Sequence, residues 1–276
     1  MSSAAQGDGS LFYEVAVTLC GRGGMVAVIQ SFFDESFEDN QSFFVVAGYL
    51  FQTSKLRMFE REWRSMLAGL PYFHMQEINQ IKHAKDGVQM GGVYDRMTAE
   101  SADKLARRAI QLISEYASQG FIAHVDPRDV TAEWKHKAIL DGAYESCLWY
   151  AMCASKIWRD RFKPGARLAY FFEQGGPKQE RADNAIRALF ADEEKIFGQA
   201  SYAFVPKGCA PASEAADILS FLALKEFRRQ RANSPAKPRK DLIALTEGVP
   251  TEICRIDVKL WNDRVLAAAR ARLAAQ

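Results

Sequence analysis

Two runs of β-branched and aromatic residues, MVAVIQSFF from Met25 to Phe33 and SFFVVAGYLF from Ser42 to Phe51, are separated only by the short, mostly polar segment 34–41. Runs this apolar suit strands that are covered on both faces, and the short link sets them at hairpin distance. The expectation is an antiparallel pair within a buried sheet, with Gly48 marking a bulge.

A sheet buried on both faces needs helices on both, and the rest of the chain offers them. Residues 54–68 set Leu56, Phe59, Trp63, Met66 and Leu67 at helical spacing, behind Ser54 as a cap and ahead of Pro71. Tyr72 to Met75 reads as a short extended segment presenting His74, and residues 79–97 as a long polar loop. Residues 98–118 open on Thr98, Ser101 and Asp103, carry Leu105, Ala109, Leu112, Ile113 and Tyr116 on one face, and stop at Gly120. Phe121 to Val125, Arg167 to Glu173 and Ser201 to Val205 read as strands, and residues 130–160, 179–196 and Ser213 to Arg231 as helices. A strand or turn around Ile253 to Val258 and an Ala-, Leu- and Arg-rich helix end the chain. Strands first, then helices alternating with strands, is an α/β or α+β pattern in one domain. The domain is taken as residues 25–231, with 1–24 a loose extension or a misassigned start and 232–276 a basic arm and helical tail packed on the same domain.

Composition excludes several classes. The 276 residues are 48% hydrophobic and 25% charged, which fits neither disorder nor collagen. Five cysteines without a C-x-x-C pair give neither a disulfide scaffold nor a zinc ribbon, so a reducing cytoplasm is expected. Cys147 and Cys153 point to different faces of a helix and read as packing thiols. The longest apolar stretch, Phe43 to Phe51, is far short of the ~20 residues needed to cross a bilayer, so no membrane is expected. Residues 1–10 are small and polar and do not read as a secretion signal.

Three carboxylates occupy positions with apolar neighbours. Asp34 follows the first strand, Glu173 ends LAYFFE, and Asp217 lies in the greasy helix start ASEAADILSFL. Each alone has an ordinary explanation as a turn former, a solvated acid or a partner of the helix dipole. Together they pose a common problem, because a buried unpaired carboxylate is strongly disfavoured and a shared metal would answer all three. Two of them stand beyond the carboxyl ends of strands, where ligands of open α/β sheets collect. Ser213, Asp217 and Ser220 share one face of the helix, with Glu214 close by as a fourth ligand or as a partner for a basic residue. Hard oxygen donors without paired His or Cys favour Mg²⁺ or Mn²⁺.

His74 stands three residues before Glu77 and reads either as a general acid, proton shuttle or phosphate contact oriented by Glu77, or as a hydrogen-bonded loop histidine. His83, His124 and His136 read as surface or packing residues. Residues 225–240 carry Lys225, Arg228, Arg229, Arg231, Lys237, Arg239 and Lys240 against only Glu226, and Pro235 and Pro238 imply an extended arm that either contacts phosphates or is simply solvated. G-x-S-x-G, H-E-x-x-H, Walker and G-x-G-x-x-G motifs are all missing, which removes the usual supports for acyl transfer, zinc proteolysis, P-loop and dinucleotide chemistry. Gly175-Gly176-Pro177 reads as a strand-to-helix turn rather than a phosphate cradle.

DES at 34–36, FFVVAGY at 43–49, FHMQE at 73–77, FFEQG at 171–175 and EAADILSF at 214–221 together resemble the bacterial family called domain of unknown function 3800. The resemblance spans roughly residues 25–231. That family is similar to the ribonuclease H-like superfamily, so the resemblance implies a mixed sheet flanked by helices, with acids on the first strand, a later strand and the final helix binding two divalent metals. It implies Asp34, Glu173 and Asp217 as ligands and Glu35 as helper. This chain departs from the family in having Phe37 where DES is usually followed by Gly, and Glu214 where Gln is common. The functional expectation is a metal-dependent nuclease that hydrolyses phosphodiesters of DNA or RNA with Mg²⁺ or Mn²⁺. Asp34, Glu35, His74, Glu173 and Asp217 would be its site, and Arg228, Arg229, Arg231, Lys237, Arg239 and Lys240 its nucleic-acid contacts. The alternative is a catalytically silent fold of the same kind that serves a protein partner.

Overall fold

The computed structural model describes residues 28–37, 44–83, 92–125, 143–174, 200–235 and 237–256, with six further residues between 179 and 187. Expectations for residues 1–24, His136, the 175–177 turn, most of the 179–196 helix and the C-terminal helix lie outside them.

The first strand, β1, runs Val28–Phe37, and β2 runs Phe44–Gln52. They pair antiparallel from Ile29↔Gln52 to Phe37↔Phe44, as the hydrophobic runs predict. One boundary differs. Asp34, Glu35 and Ser36 belong to β1 rather than to a turn after it, because β2 supplies ladder partners out to Phe44. Gly48 is not a bulge either: the register passes through Phe33↔Gly48 unbroken. A Cβ there would stand 1.9 Å from the Phe32 carbonyl oxygen, so Gly48 is required by close approach of the two backbones.

Helix α1 (Thr53–Leu67) starts directly after β2 with Gln52 at its N-cap and no side-chain cap, so Ser54 does not serve as one. It ends at Ala68 in the left-handed region, before Pro71 is reached. Helix α2 (Met75–Lys82) occupies the start of the expected 79–97 loop, with His83 at its C-cap. Helix α3 (Ala99–Tyr116) is capped by the Thr98 side chain accepting from the Ser101 N–H. It stops at Tyr116, and Gly120 lies inside the next strand, β3 (Gln119–Val125). Then follow α4 (Ala143–Phe162), β4 (Arg167–Glu173), β5 (Ala200–Val205), α5 (Pro211–Arg231), α6 (Lys240–Gly248) and β6 (Thr251–Arg255).

The strands form one mixed sheet in the order β5-β4-β1-β2-β3-β6. β2 pairs antiparallel with both β1 and β3, while β4 runs parallel to β1, β5 to β4 and β6 to β3. The fold is thus α/β, and the segment after α5 adds α6 to the core and β6 to the sheet. Alternation along β1 divides the interior: Phe32 packs with Phe171, Trp63, Leu219 and Leu222 on one face, and Phe33 with Phe172, Leu148 and Met152 on the other. Helices α1, α2, α3, α5 and α6 cover the first face and α4 the second. No helix among the described residues is long and apolar enough to cross a membrane.

Gly48→Ala forces backbone against backbone in the central pair. It should destabilise by about 3 kcal/mol or more, a fall of roughly 6–12 °C in melting temperature by circular dichroism.

Candidate metal centre

Parallel pairing of β1 with β4 runs to Phe33↔Phe172, so Asp34 and Glu173 are the next residues on neighbouring strands. Alternation puts both on the face covered by α5, beyond Phe32 and Phe171. From α5, past its first turn, Asp217 joins them. Asp34, Glu173 and Asp217, together with Glu35 and His74, line one half-open cavity of about 440 Å³. All five residues expected at the site are therefore brought together, although they come from β1, the start of α2, β4 and α5.

The second strand-end residue, Ser36, binds Ser220 of α5 at 3.1 Å, and the Ser220 hydroxyl lies 3.1 Å from Asp34 Oδ2 and from the Asp217 carbonyl oxygen. Ser220 thus fixes the polar stripe expected along this helix, whereas Ser213 turns into the core. Asp217 Oδ2 accepts the Met75 backbone N–H at 2.7 Å. His74 Nδ1 sits 2.7 Å from Glu77 Oε1, the pairing expected from their spacing, which leaves Nε2 as the ring atom available to the cavity.

Glu214 is a correction. It is neither a fourth ligand nor the partner of a basic residue: its Oε2 accepts Trp63 Nε1–H at 2.7 Å and the Phe73 N–H at 2.9 Å in the interior. Burial pushes its carboxyl up to about 7 against the pull of these two hydrogen bonds.

Asp34, Asp217 and Glu173 are raised too. Burial, then the charges of Asp217, Glu35 and Glu173, hold Asp34 well above the ordinary carboxylate range. Burial raises Asp217, opposed by His74 when charged, by the Met75 N–H and by Lys207. Burial raises Glu173, opposed first by Lys207. Burial and the like charges of its neighbours both disfavour ionising every member, so without a cation this cluster favours keeping protons.

Lys207 was not anticipated. Its Nζ lies 5.4 Å from the centre of the Tyr72 ring, and its charge reaches both Glu173 and Asp217. The available signal was its place two residues after the strand Ser201–Val205, at the same sheet end as Glu173.

Basic residues divide sharply. Arg228 lines the cavity, and so does Lys225, whose Nζ lies over the Phe221 ring at 5.1 Å. Arg229 instead grips buried Glu226, with Nη2 2.5 Å and Nε 2.9 Å from its two oxygens, and the Arg239 N–H adds a 3.4 Å bond to the same carboxylate. Arg239 also reaches Asp241 at 3.4 Å. The helix ends at Arg231 as expected, but the free arm after it is corrected: Lys240 opens α6, and Glu226 ties the link between the two helices to the core. Arg231, Lys237 and Lys240 do not line the cavity. His124 stacks on Phe227 with ring centres 4.0 Å apart, a packing role as expected.

Among the described residues no three acid, histidine or cysteine side chains already stand at metal-holding distances, so occupancy requires side-chain rotation. The donor chemistry nevertheless fits Mg²⁺ or Mn²⁺. Three hard carboxylates share one cavity, and none of them forms an ion pair among the described residues. A scan against protein-family models finds no match, and no curated protein matches the sequence.

A carboxyl raised on folding costs stability above its folded pKa and nothing below its unfolded one. Glu214→Gln keeps an acceptor for Trp63 and Phe73 while removing that cost. With a shift from the ordinary 4.5 to about 7, it should gain on the order of 3 kcal/mol at about pH 8, fading as pH falls through 7 toward 4.5, in thermal melts across that range. Asp34→Asn should likewise raise the metal-free melting temperature at about pH 8, and the gain should vanish near pH 4.

Proposed function

We propose that this protein is a divalent-metal-dependent nuclease with a ribonuclease H-like core. The observation that carries the reading is the convergence of Asp34, Glu173 and Asp217 on one cavity that Lys225 and Arg228 also line. Acids on the first strand, a later strand and a late helix are also what the resemblance to the domain of unknown function 3800 family implies.

Asp34, Glu173 and Asp217 would hold Mg²⁺ or Mn²⁺, two ions by the resemblance. Bound there, the metal supplies the Lewis acidity that activates water and stabilises the leaving oxygen of a phosphodiester. The chain's own groups supply the rest. Ser220 and the Met75 N–H orient Asp34 and Asp217, so the acids need little rearrangement of backbone to take a cation. Lys207 offsets part of their charge while the cation is away. His74, steadied by Glu77, moves a proton at Nε2 to the departing oxygen. Glu35, on the cavity rim, assists as a further acceptor. Lys225 and Arg228 hold the phosphates on either side of the scissile one.

Mn²⁺ should raise the melting temperature of the wild type and have little effect on Asp217→Asn, because binding to the native state alone stabilises it. Labelled DNA or RNA should be cut only with Mg²⁺ or Mn²⁺, and at least about a hundredfold more slowly by Asp217→Asn. Wild-type cleavage no greater than that of Asp217→Asn on every substrate would instead identify a catalytically silent module that serves a protein partner.

A further inference from the structure

The cavity carries positive charge that its acids do not neutralise. Lys225 lines it together with Arg228, which follows three residues later on α5. The Lys225 Nζ stands 5.1 Å from the centre of the Phe221 ring and has neither a hydrogen bond nor an ion pair among the described residues. Burial, then the like charges of Arg239 and Arg228, push this ammonium below the ordinary lysine range, and none of the cavity's carboxylates offsets them.

Arg239 is brought here by the fold, from beyond the end of α5. Its backbone N–H bonds Glu226 Oε2 at 3.4 Å, which lays it against the residue next to Lys225. The guanidinium is thinly held: Nη2 reaches Asp241 at 3.4 Å, and Asp241 is shared with Lys82 at 3.8 Å. Its buried Nε has no acceptor among the described residues, and the side chain remains 26% exposed, so an anion would meet the guanidinium at its terminal nitrogens. Two cations that repel each other, one without an acid and one sharing its acid, are unfavourable by themselves. One oxyanion held by both removes that repulsion, and a phosphate has enough acceptor oxygens for an ammonium and a guanidinium at once.

We propose that Lys225 and Arg239 together form a phosphate subsite, which holds a nucleic-acid backbone phosphate next to the one at the acids and does so with or without metal. The proposal deepens the nuclease reading and rests on it for the identity of that neighbouring phosphate. Arg239 thus joins Lys225 on one flanking phosphate, and Arg228 keeps the other.

The test is fluorescence anisotropy with the full-length protein in EDTA, which reads binding without turnover, on short labelled single-stranded and duplex oligonucleotides. Lys225→Met and Arg239→Gln should each weaken binding of the tighter one about tenfold. Lys225→Arg, which keeps the charge, should stay within about twofold of wild type, as should Lys163→Met, which removes an exposed cation just after α4. The double variant should lose much less than the product of the two single losses, because one phosphate serves both residues. Wild-type affinity in either single variant, multiplied losses in the double variant, or an equal loss in Lys163→Met overturns the subsite while leaving a metal-dependent nuclease intact. Displacement of the oligonucleotide by inorganic phosphate at the oligonucleotide's own concentration overturns the backbone as the source, in favour of a small phosphate compound. Binding that depends on both residues, without cleavage by the wild type in Mg²⁺ or Mn²⁺, sustains the subsite and removes only the hydrolysis. Absence of binding to any nucleic acid overturns both this proposal and the nuclease reading.

Discussion

One helix reads the backbone of a segment more than a hundred residues away, and the candidate site depends on that contact. Three successive N–H groups, of Phe73, His74 and Met75, are taken by the side chains of Glu214, Tyr94 and Asp217. Two of these acceptors belong to α5. The Tyr94 hydroxyl in turn donates to the Tyr72 carbonyl, closing the clamp. Donors at the start of α2 that would otherwise lack partners are satisfied, and in the same step His74 is fixed beside the acids. Trp63 brings α1 into the arrangement through Glu214, so α1, α5 and the segment leading into α2 are registered at a single buried carboxylate.

The cluster of acids carries the opposite energetic sign. Glu214 repays part of its burial through two hydrogen bonds, whereas Asp34 has mostly like charges for neighbours. Such an arrangement persists because the sheet and α5 fix it, not because it is locally favourable. Lys207 and Ser220 moderate the repulsion without removing it.

The strands were legible from composition because both faces of the sheet are covered, which makes the runs around Phe32 and Val45 continuously apolar. What sequence reasoning misplaced were the points where a partner decides. Asp34 to Ser36 read as a turn, since a polar cluster after a strand commonly is one, but the ladder with Val45, Val46 and Ala47 extends the strand through them. The start of α2 was hidden because no capping side chain precedes Met75; its caps come from α5 and Tyr94. Glu214 looked like a ligand by proximity in sequence to Asp217, and only the indole of Trp63 reveals the other role. The basic segment looked free because Glu226 was counted as one charge among seven cations, while in three dimensions it claims Arg229 and the Arg239 backbone. The acids themselves were found from sequence because carboxylates among apolar neighbours need a physical reason wherever they occur.

The parallel pairing of β1 with β4 also has a temporal side. Asp34 and Glu173 become neighbours only across a sequence separation spanning half the chain, and Asp217 arrives later still from α5. Contacts of such long range form late and slowly compared with local ones. During synthesis the first acid emerges long before the last, so no partial chain possesses the three together. The cluster of three carboxylates therefore does not exist until the sheet is assembled and α5 has closed over it.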